Sequence, residues 1–257
     1  MNMQIQSSDR SFQYGDAVFS TIRICSGQPQ LWSFHWCRLR LSMQRLGFVI
    51  PDEQQVHAKV MAVITEAEQV VKVLISRGQG SRGYGTVGIV QPQIYCWAAP
   101  LPDYSQIRQY GIRLGLASLQ FSRQPLLAGM KHCSRLETVL LKREAEQSGY
   151  DDLVAADTEG LVIEATASNL LVWQQQRWCT PVLSHAGVAG VMRQFALEQK
   201  LVEEQPLPVA EFSEIQSMAL CNALIGVVPV ASFQGRALDI APALVLQRQI
   251  KDLLQDR

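Results

Sequence analysis

One lysine in apolar company raises the first chemical question. Lys131 follows Leu126, Leu127, Ala128, Gly129 and Met130 and is followed by His132 and Cys133. A side chain buried there loses solvation unless it gives up its proton, and a neutral amine is both nucleophile and base. That is the chemistry of Schiff-base enzymes. The plain alternative is a solvated lysine flanking a helix. A carboxylate elsewhere raises the odds of the first reading. Glu164 stands between Ile163 and Ala165 in an apolar strand context, with Thr166, Ser168 and Asn169 just beyond it. Buried carboxylates are rare unless paired or hydrogen-bonded, and one use for such a group is to keep a pyridinium nitrogen protonated. Cys133 is read as a small packing residue in preference to a reactive thiol. His132 is read as structural, because neighbours on an extended chain point to opposite sides.

A second set of charges lies in "SRGQGSRGYG", residues 76–85. Its glycines permit a tight, exposed loop that offers Arg77 and Arg82 to an anion. A solvated hairpin with incidental arginines fits the same residues. The loop joins two strands, has no helix after it and lacks GKS or GKT, so a nucleotide-cradling role is the weaker reading.

The elements that must position these groups are legible in outline. "AVFSTIRI" (17–24), "VVKVLISR" (70–77), "VGIVQPQIYCWAA" (87–99) and "GIRLGLASLQF" (111–121) have the composition of strands. Apolar spacing predicts helices over 33–48 and 52–68, the second starting near Asp52. Beyond residue 121, Ser134 and Glu137 have the spacing of a capping box for a helix running to about residue 148. A strand series follows, then a helix over 188–201, an extended segment over 217–230 and a closing helix over 241–255. Strands and helices without regular βαβ alternation favour an α+β fold. The domain boundary is expected around 122–129, giving domains of 1–121 and 122–257.

Composition narrows the function classes. The chain has 257 residues, 47% of them hydrophobic, enough for two modest domains with real cores. Lys plus Arg and Asp plus Glu each number 23, which argues against broad binding to nucleic acid or anionic membrane. No apolar run approaches membrane-spanning length, and MNMQIQSSDR lacks the pattern of a secretory signal. Six scattered cysteines without a CxxC pair read as free thiols of a cytoplasmic protein, and no metal site is predicted.

The pair "MKHCSRLETVLL" and "GLVIEATASNLLV" resembles the fold-type IV pyridoxal-phosphate enzymes, which include branched-chain and D-amino-acid transaminases and aminodeoxychorismate lyases. The finer pattern is similar to the lyases: "SDRSFQYGDAVFSTIRI", "ISRGQGSRGYG", "AGMKHCSRLE", "AGVAGVMRQ" and "CNALIGVVPV" occur in their order, covering residues 8–230. The resemblance implies a two-domain α+β enzyme with pyridoxal 5'-phosphate at the domain interface. It further implies a homodimer that converts 4-amino-4-deoxychorismate to 4-aminobenzoate and pyruvate, a step towards folate. A fold-type IV transaminase acting on D- or branched-chain amino acids is the alternative.

Carried over residue by residue, Lys131 is the Schiff-base lysine and Glu164 the partner of the pyridinium nitrogen. Arg38 is implied on the cofactor phosphate, with the backbone amides of Val188 and Ala189 at a helix start and the side chain of Asn222. For the substrate, Arg82 is the first choice to hold a carboxylate, Tyr84 a weaker one, and Thr21 a small hydroxyl facing the cofactor. Each has a bland counterpart: a solvated helix arginine, an ordinary helix start, a turn asparagine. Ser134 stands where these lyases favour Asn, and Ser can still cap the helix.

Overall fold

The residues AVFSTIRIC alternate between buried and half-buried positions, and a first sheet is built around them. The computed structural model describes residues 4–80 and 82–255. They divide into two units, one running to Pro102 and including Met130–Arg135, the other comprising Asp103–Gly129 and the chain from Leu136 onward.

The first unit contains α1 (Arg10–Tyr14), β1 (Ala17–Cys25), β2 (Gln28–Pro29), α2 (Trp32–Leu46), α3 (Glu53–Met61), β3 (Gln69–Ser76) and β4 (Gln93–Pro100). Its sheet is antiparallel in the order β2-β1-β3-β4. Val18, Ile22 and Ile24 of β1 and Val71, Val73 and Ile75 of β3 form one face, packed on Trp36, Leu39 and Met43 of α2 and Val56 and Val60 of α3. The other face carries Phe19, Thr21, Lys72 and Trp97, all half-buried. The Asp52 carboxylate caps α3 by accepting from the Gln54 and Gln55 amides at 2.7 and 3.2 Å. Gly47 ends α2 at φ 68°, a left-handed conformation that glycine adopts without strain.

β2 pairs only with Ile24 and Cys25, so the Ala17–Phe19 end of that edge of β1 is left for another segment. Residues 131–133 fill it. The Phe19 N–H donates to the Lys131 carbonyl and the Cys133 N–H to the Ala17 carbonyl, each at 2.9 Å, with Val18 opposite His132.

The second unit contains α4 (Ser105–Tyr110), β5 (Ile112–Leu116), α5 (Leu136–Ser148), β6 (Asp152–Ala156), β7 (Val162–Ala165), β8 (Asn169–Gln174), β9 (Arg177–Pro181), α6 (Val191–Glu198), β10 (Val202–Gln205), β11 (Ser217–Asn222), β12 (Gly226–Phe233), β13 (Arg236–Ala237) and α7 (Ala241–Gln255). Strand order β8-β11-β12-β5-β6-β7 returns to β8, because Glu164 of β7 pairs with Asn169 of β8. Six strands therefore close on themselves, with β9 and β10 extending outward from β8. Leu114, Val154, Leu170, Val172, Met218, Leu220, Val228 and Val230 meet in one apolar core.

The fold is α+β, as the sequence leads one to expect, and it departs from that reading in particulars. Residues 103–121 go with the second unit, because β5 pairs in parallel with β12 and β6. Met130–Arg135 go with the first, because they pair with β1. The strand expected over 87–99 begins at Gln93, the helix over 52–68 ends at Met61, and the helix over 188–201 begins at Val191. The capping box does not form. The Ser134 hydroxyl donates to the Tyr14 carbonyl at 3.4 Å, and Glu137 accepts from the Ser122 amide at 3.1 Å.

Two arginines converge on one carboxylate in the first unit. Arg10 and Arg77 each place Nε 2.7 Å from Asp16 Oδ2, with side chains 4%, 9% and 13% exposed in the order Arg10, Arg77, Asp16. Asp16→Asn leaves both guanidinium groups without their counter-charge, and the expected loss of stability is about 3–5 kcal/mol. Urea unfolding checks this; a loss below about 1 kcal/mol would mean that water screens the cluster.

Candidate active site

In the first unit, the pairing of residues 131–133 with β1 fixes the backbone of Lys131, and its Nζ lies 4.8 Å from the centre of the Phe19 ring. Thr21 follows Phe19 on the same half-buried face, since strand side chains alternate. Burial pushes the Cys133 thiol up to about 11, which leaves it a packing residue.

Behind the sheet lies a buried polar chain. Arg38 Nη2 donates to Ser20 Oγ at 2.6 Å, and Ser20 Oγ lies 2.6 Å from His35 Nδ1. Arginine has only donors, so the Ser20 oxygen accepts from Arg38. The other ring nitrogen, His35 Nε2, is buried with no hydrogen-bond partner. Sequence reasoning missed Ser20 and His35, though two signals were present. Ser20 occupies a core-facing phase of β1 between Val18 and Ile22, and the three-residue spacing of His35 and Arg38 puts both on one helix face.

In the second unit, Glu164 is 5% exposed at the strand pair that closes the barrel. Its Oε2 accepts from the Val188 amide at 2.9 Å and lies 3.5 Å from Asn169 Nδ2, which also donates to the Val188 carbonyl at 2.8 Å. Gly190 leaves the space that Asn169 fills, for a Cβ there would stand 1.9 Å from Asn169 Oδ1.

Three expected phosphate ligands have partners within the protein. The Val188 amide is spent on Glu164, and the Ala189 amide donates to the Gly129 carbonyl at 3.0 Å. Both residues precede the helix, in a segment where Val188 bridges Gly129. Asn222 donates to the Ala167 carbonyl at 3.1 Å and to Ser168 Oγ at 3.0 Å, and accepts from the Leu224 and Ile225 amides. It pins two loops. The donors that do remain belong to the first turn of α6. Gly190 supplies no side-chain cap, and the amides of Val191 and Met192 have no carbonyl within the helix to bond, at the positive end of its dipole.

The two arginines of the glycine loop part company. Arg77 is committed to Asp16 and to the Leu46 and Gly47 carbonyls at 2.7 and 2.9 Å. Arg82 is exposed, and so is Tyr84, at 83%. Their backbone is nonetheless tied down, because Arg10 donates to the carbonyls of Gly83, Tyr84 and Gly85 at 3.1–3.2 Å.

Each unit offers groups of the kind that a phosphorylated pyridine aldehyde needs: the first an amine at Lys131 and a guanidinium at Arg38, the second a buried carboxylate at Glu164 and helix-terminal amides at Val191 and Met192. Among the described residues no cluster of three or more His, Cys, Asp or Glu side chains could hold a metal ion, and no helix is long and apolar enough to cross a membrane.

Comparison with known proteins agrees with this chemistry. The family model for class IV amino-transferases matches residues 17–233. An aminodeoxychorismate lyase of Vibrio harveyi is 36% identical over 230 residues, 87% of this chain and 85% of that one. The crystal structure of 4-amino-4-deoxychorismate lyase from Pseudomonas aeruginosa superposes with a TM-score of 0.90 at 30% identity, covering 100% of this chain and 96% of the other. A PLP-bound hypothetical aminotransferase from Mycobacterium tuberculosis gives a TM-score of 0.83 at 21% identity, covering 100% and 95%, and shares the fold.

The buried histidine sets a pH dependence. Burial, then the charges of Arg38 and Lys131, hold His35 well below its ordinary value of 6.5. Below that value the unfolded chain binds a proton that the folded chain refuses. Stability is therefore full above pH 6.5 and falls as pH drops towards the depressed folded value, with a slope approaching about 1.4 kcal/mol per pH unit. Unfolding free energies between about pH 7 and pH 5 should show this slope in the parent and lose it in His35→Gln. An equal slope in both would place the titration elsewhere.

Proposed function

The chain belongs to the class IV amino-transferase family, and from that membership we propose a pyridoxal-phosphate-dependent lyase converting 4-amino-4-deoxychorismate to 4-aminobenzoate and pyruvate. The observation that carries the cofactor reading is Glu164, a carboxylate 5% exposed and oriented by the Val188 amide. Preference for lyase over transaminase is supported by the similarity to two aminodeoxychorismate lyases. The protein acts on a small molecule, as a cytoplasmic homodimer in this reading.

Bound pyridoxal phosphate supplies an electron sink for the carbon that carries the substrate amine. Lys131 would hold the cofactor through Nζ. With substrate present, the Lys131 amine would take the proton from the ring carbon bearing the substrate nitrogen, and the neighbouring C–O bond breaks as the ring becomes aromatic. The enolpyruvate released gains a proton at its methylene carbon, from Lys131 or a nearby group, and becomes pyruvate. Glu164 would keep the pyridine nitrogen protonated. Arg38, held by Ser20, would hold the phosphate, and the first-turn amides of Val191 and Met192 offer further donors for it. Thr21 meets the substrate from the Phe19 face, while Arg82 and Tyr84 remain the loop candidates for a substrate carboxylate.

The deciding test mixes cofactor-loaded protein with aminodeoxychorismate and follows both products. One pyruvate per 4-aminobenzoate is expected, without an amino acceptor, and Lys131→Ala should abolish both. Glu164→Gln should lower kcat by roughly two to three orders of magnitude, as loss of a preorganised charge partner does. Turnover of amino-acid and keto-acid pairs with no 4-aminobenzoate would move the protein to the transaminases.

A further inference from the structure

We propose that Ser20 and His35 are positioning residues for cofactor binding, holding the Arg38 guanidinium ready for the phosphate. The inference rests on the cofactor reading and extends it to two side chains sealed inside the first unit, each at 0% exposure. Ser20 lies in the buried phase of β1 between Val18 and Ile22, on the face that packs against α2. Among such neighbours a hydroxyl and an imidazole are costly unless they form hydrogen bonds. The Ser20 oxygen is 2.6 Å from Arg38 Nη2 and 2.6 Å from His35 Nδ1. His35 and Arg38 stand three residues apart on α2, so one turn of helix holds the hydroxyl from two sides. One turn further on, the Ser42 hydroxyl donates to the Arg38 carbonyl at 2.7 Å.

The needs of the core do not account for the imidazole. Its one side-chain hydrogen bond among the described residues is to Ser20, and its Nε2 is buried without a partner. An apolar side chain would fill the same space without leaving a polar atom unsatisfied. What the imidazole adds is a fixed Ser20 hydroxyl, and what the hydroxyl adds is a fixed guanidinium. A free arginine side chain has many rotamers, and ordering it opposes whatever anion it is to hold. Where the protein has ordered it beforehand, the anion binds more tightly for the same contacts. Burial, then the charges of Arg38 and Lys131, keep His35 well below its ordinary value, so the ring stays uncharged behind the guanidinium it helps to place.

Two forms of the cofactor make the test selective. The full-length protein is loaded either with pyridoxal 5'-phosphate or with pyridoxal, which lacks the phosphate, and each is dialysed to equilibrium while retained cofactor is read by absorbance. The ratio of the two dissociation constants isolates phosphate recognition, because the contacts of the ring and the aldehyde cancel. Arg38→Gln should lower the preference for the phosphorylated form roughly 10- to 100-fold, the range for a hydrogen bond to a charged group. Ser20→Ala should lower it roughly 3- to 10-fold, the effect of having to order one long side chain on binding. His35→Leu should give a smaller fall in the same direction, and His35→Asn, whose amide can take the place of Nδ1, should restore part of it. A general loosening of the fold would weaken both cofactor forms equally and leave the ratio unchanged. A Ser20→Ala ratio equal to the parent's, with Arg38→Gln lowered, overturns the proposal and leaves the cofactor reading intact. A His35→Leu ratio equal to the parent's overturns the part given to His35. A parent that retains neither form overturns the cofactor reading and the proposal together.

Discussion

A carboxylate leaves water only when protein donors take the water's place, and in the second unit the arrangement around Glu164 answers to that demand. Its carboxylate takes the Val188 amide, and Val188 bridges Gly129 while Gly190 is still extended, so this segment does not begin the helix. Asn169, opposite Glu164 in register, ties the same segment down through the Val188 carbonyl and fills the space above Gly190. α6 can start only after that, at Val191, with its first amides still unsatisfied. One buried charge thus accounts for the strand pair that closes the barrel, the glycine at 190 and the point where helix donors become available.

The first unit distributes charge of the opposite sign by partner type. Cations that hold the fold have carboxylates: Arg10 and Arg77 share Asp16, and Arg23 has Glu68. Arg38 also donates to a neutral group, the Ser20 hydroxyl, and Lys72 and Lys131 each lie against the Phe19 ring. A hydroxyl or a ring face positions a cation without cancelling its charge. The neutral state of His35 belongs to the same logic, because a second positive charge behind Ser20 would oppose Arg38.

The burial of Glu164 was readable because a charged residue in an apolar run contradicts its surroundings, and that contradiction is local. The α+β class and most elements were readable for the same reason, since alternation and helical spacing are properties of short windows. What could not be read depends on pairings across long separations. β5 belongs with β12, more than a hundred residues later, so no window around residue 121 could place the boundary. The amides of Val188 and Ala189 stood at the right stretch, but which carbonyl or carboxylate each one meets is decided only when Gly129 and Glu164 arrive. The side-chain amide of Asn222 likewise meets partners distant in sequence, the loop at Ala167 and Ser168.

The excursion of residues 130–135 into the first unit bears on how the chain matures during synthesis. The edge of β1 stays incomplete until Cys133 has emerged, yet the preceding 103–129 belong to the other unit. Of those residues, β5 finds one partner at β6 and must wait for the second at β12. Domains that are continuous in sequence fold one after another as they leave the ribosome; here the first unit lacks its last piece until residue 135, and residues 103–129 of the second unit emerge before it. The Lys131 backbone is therefore fixed against β1 while β6 and every later element of the second unit is still to be made.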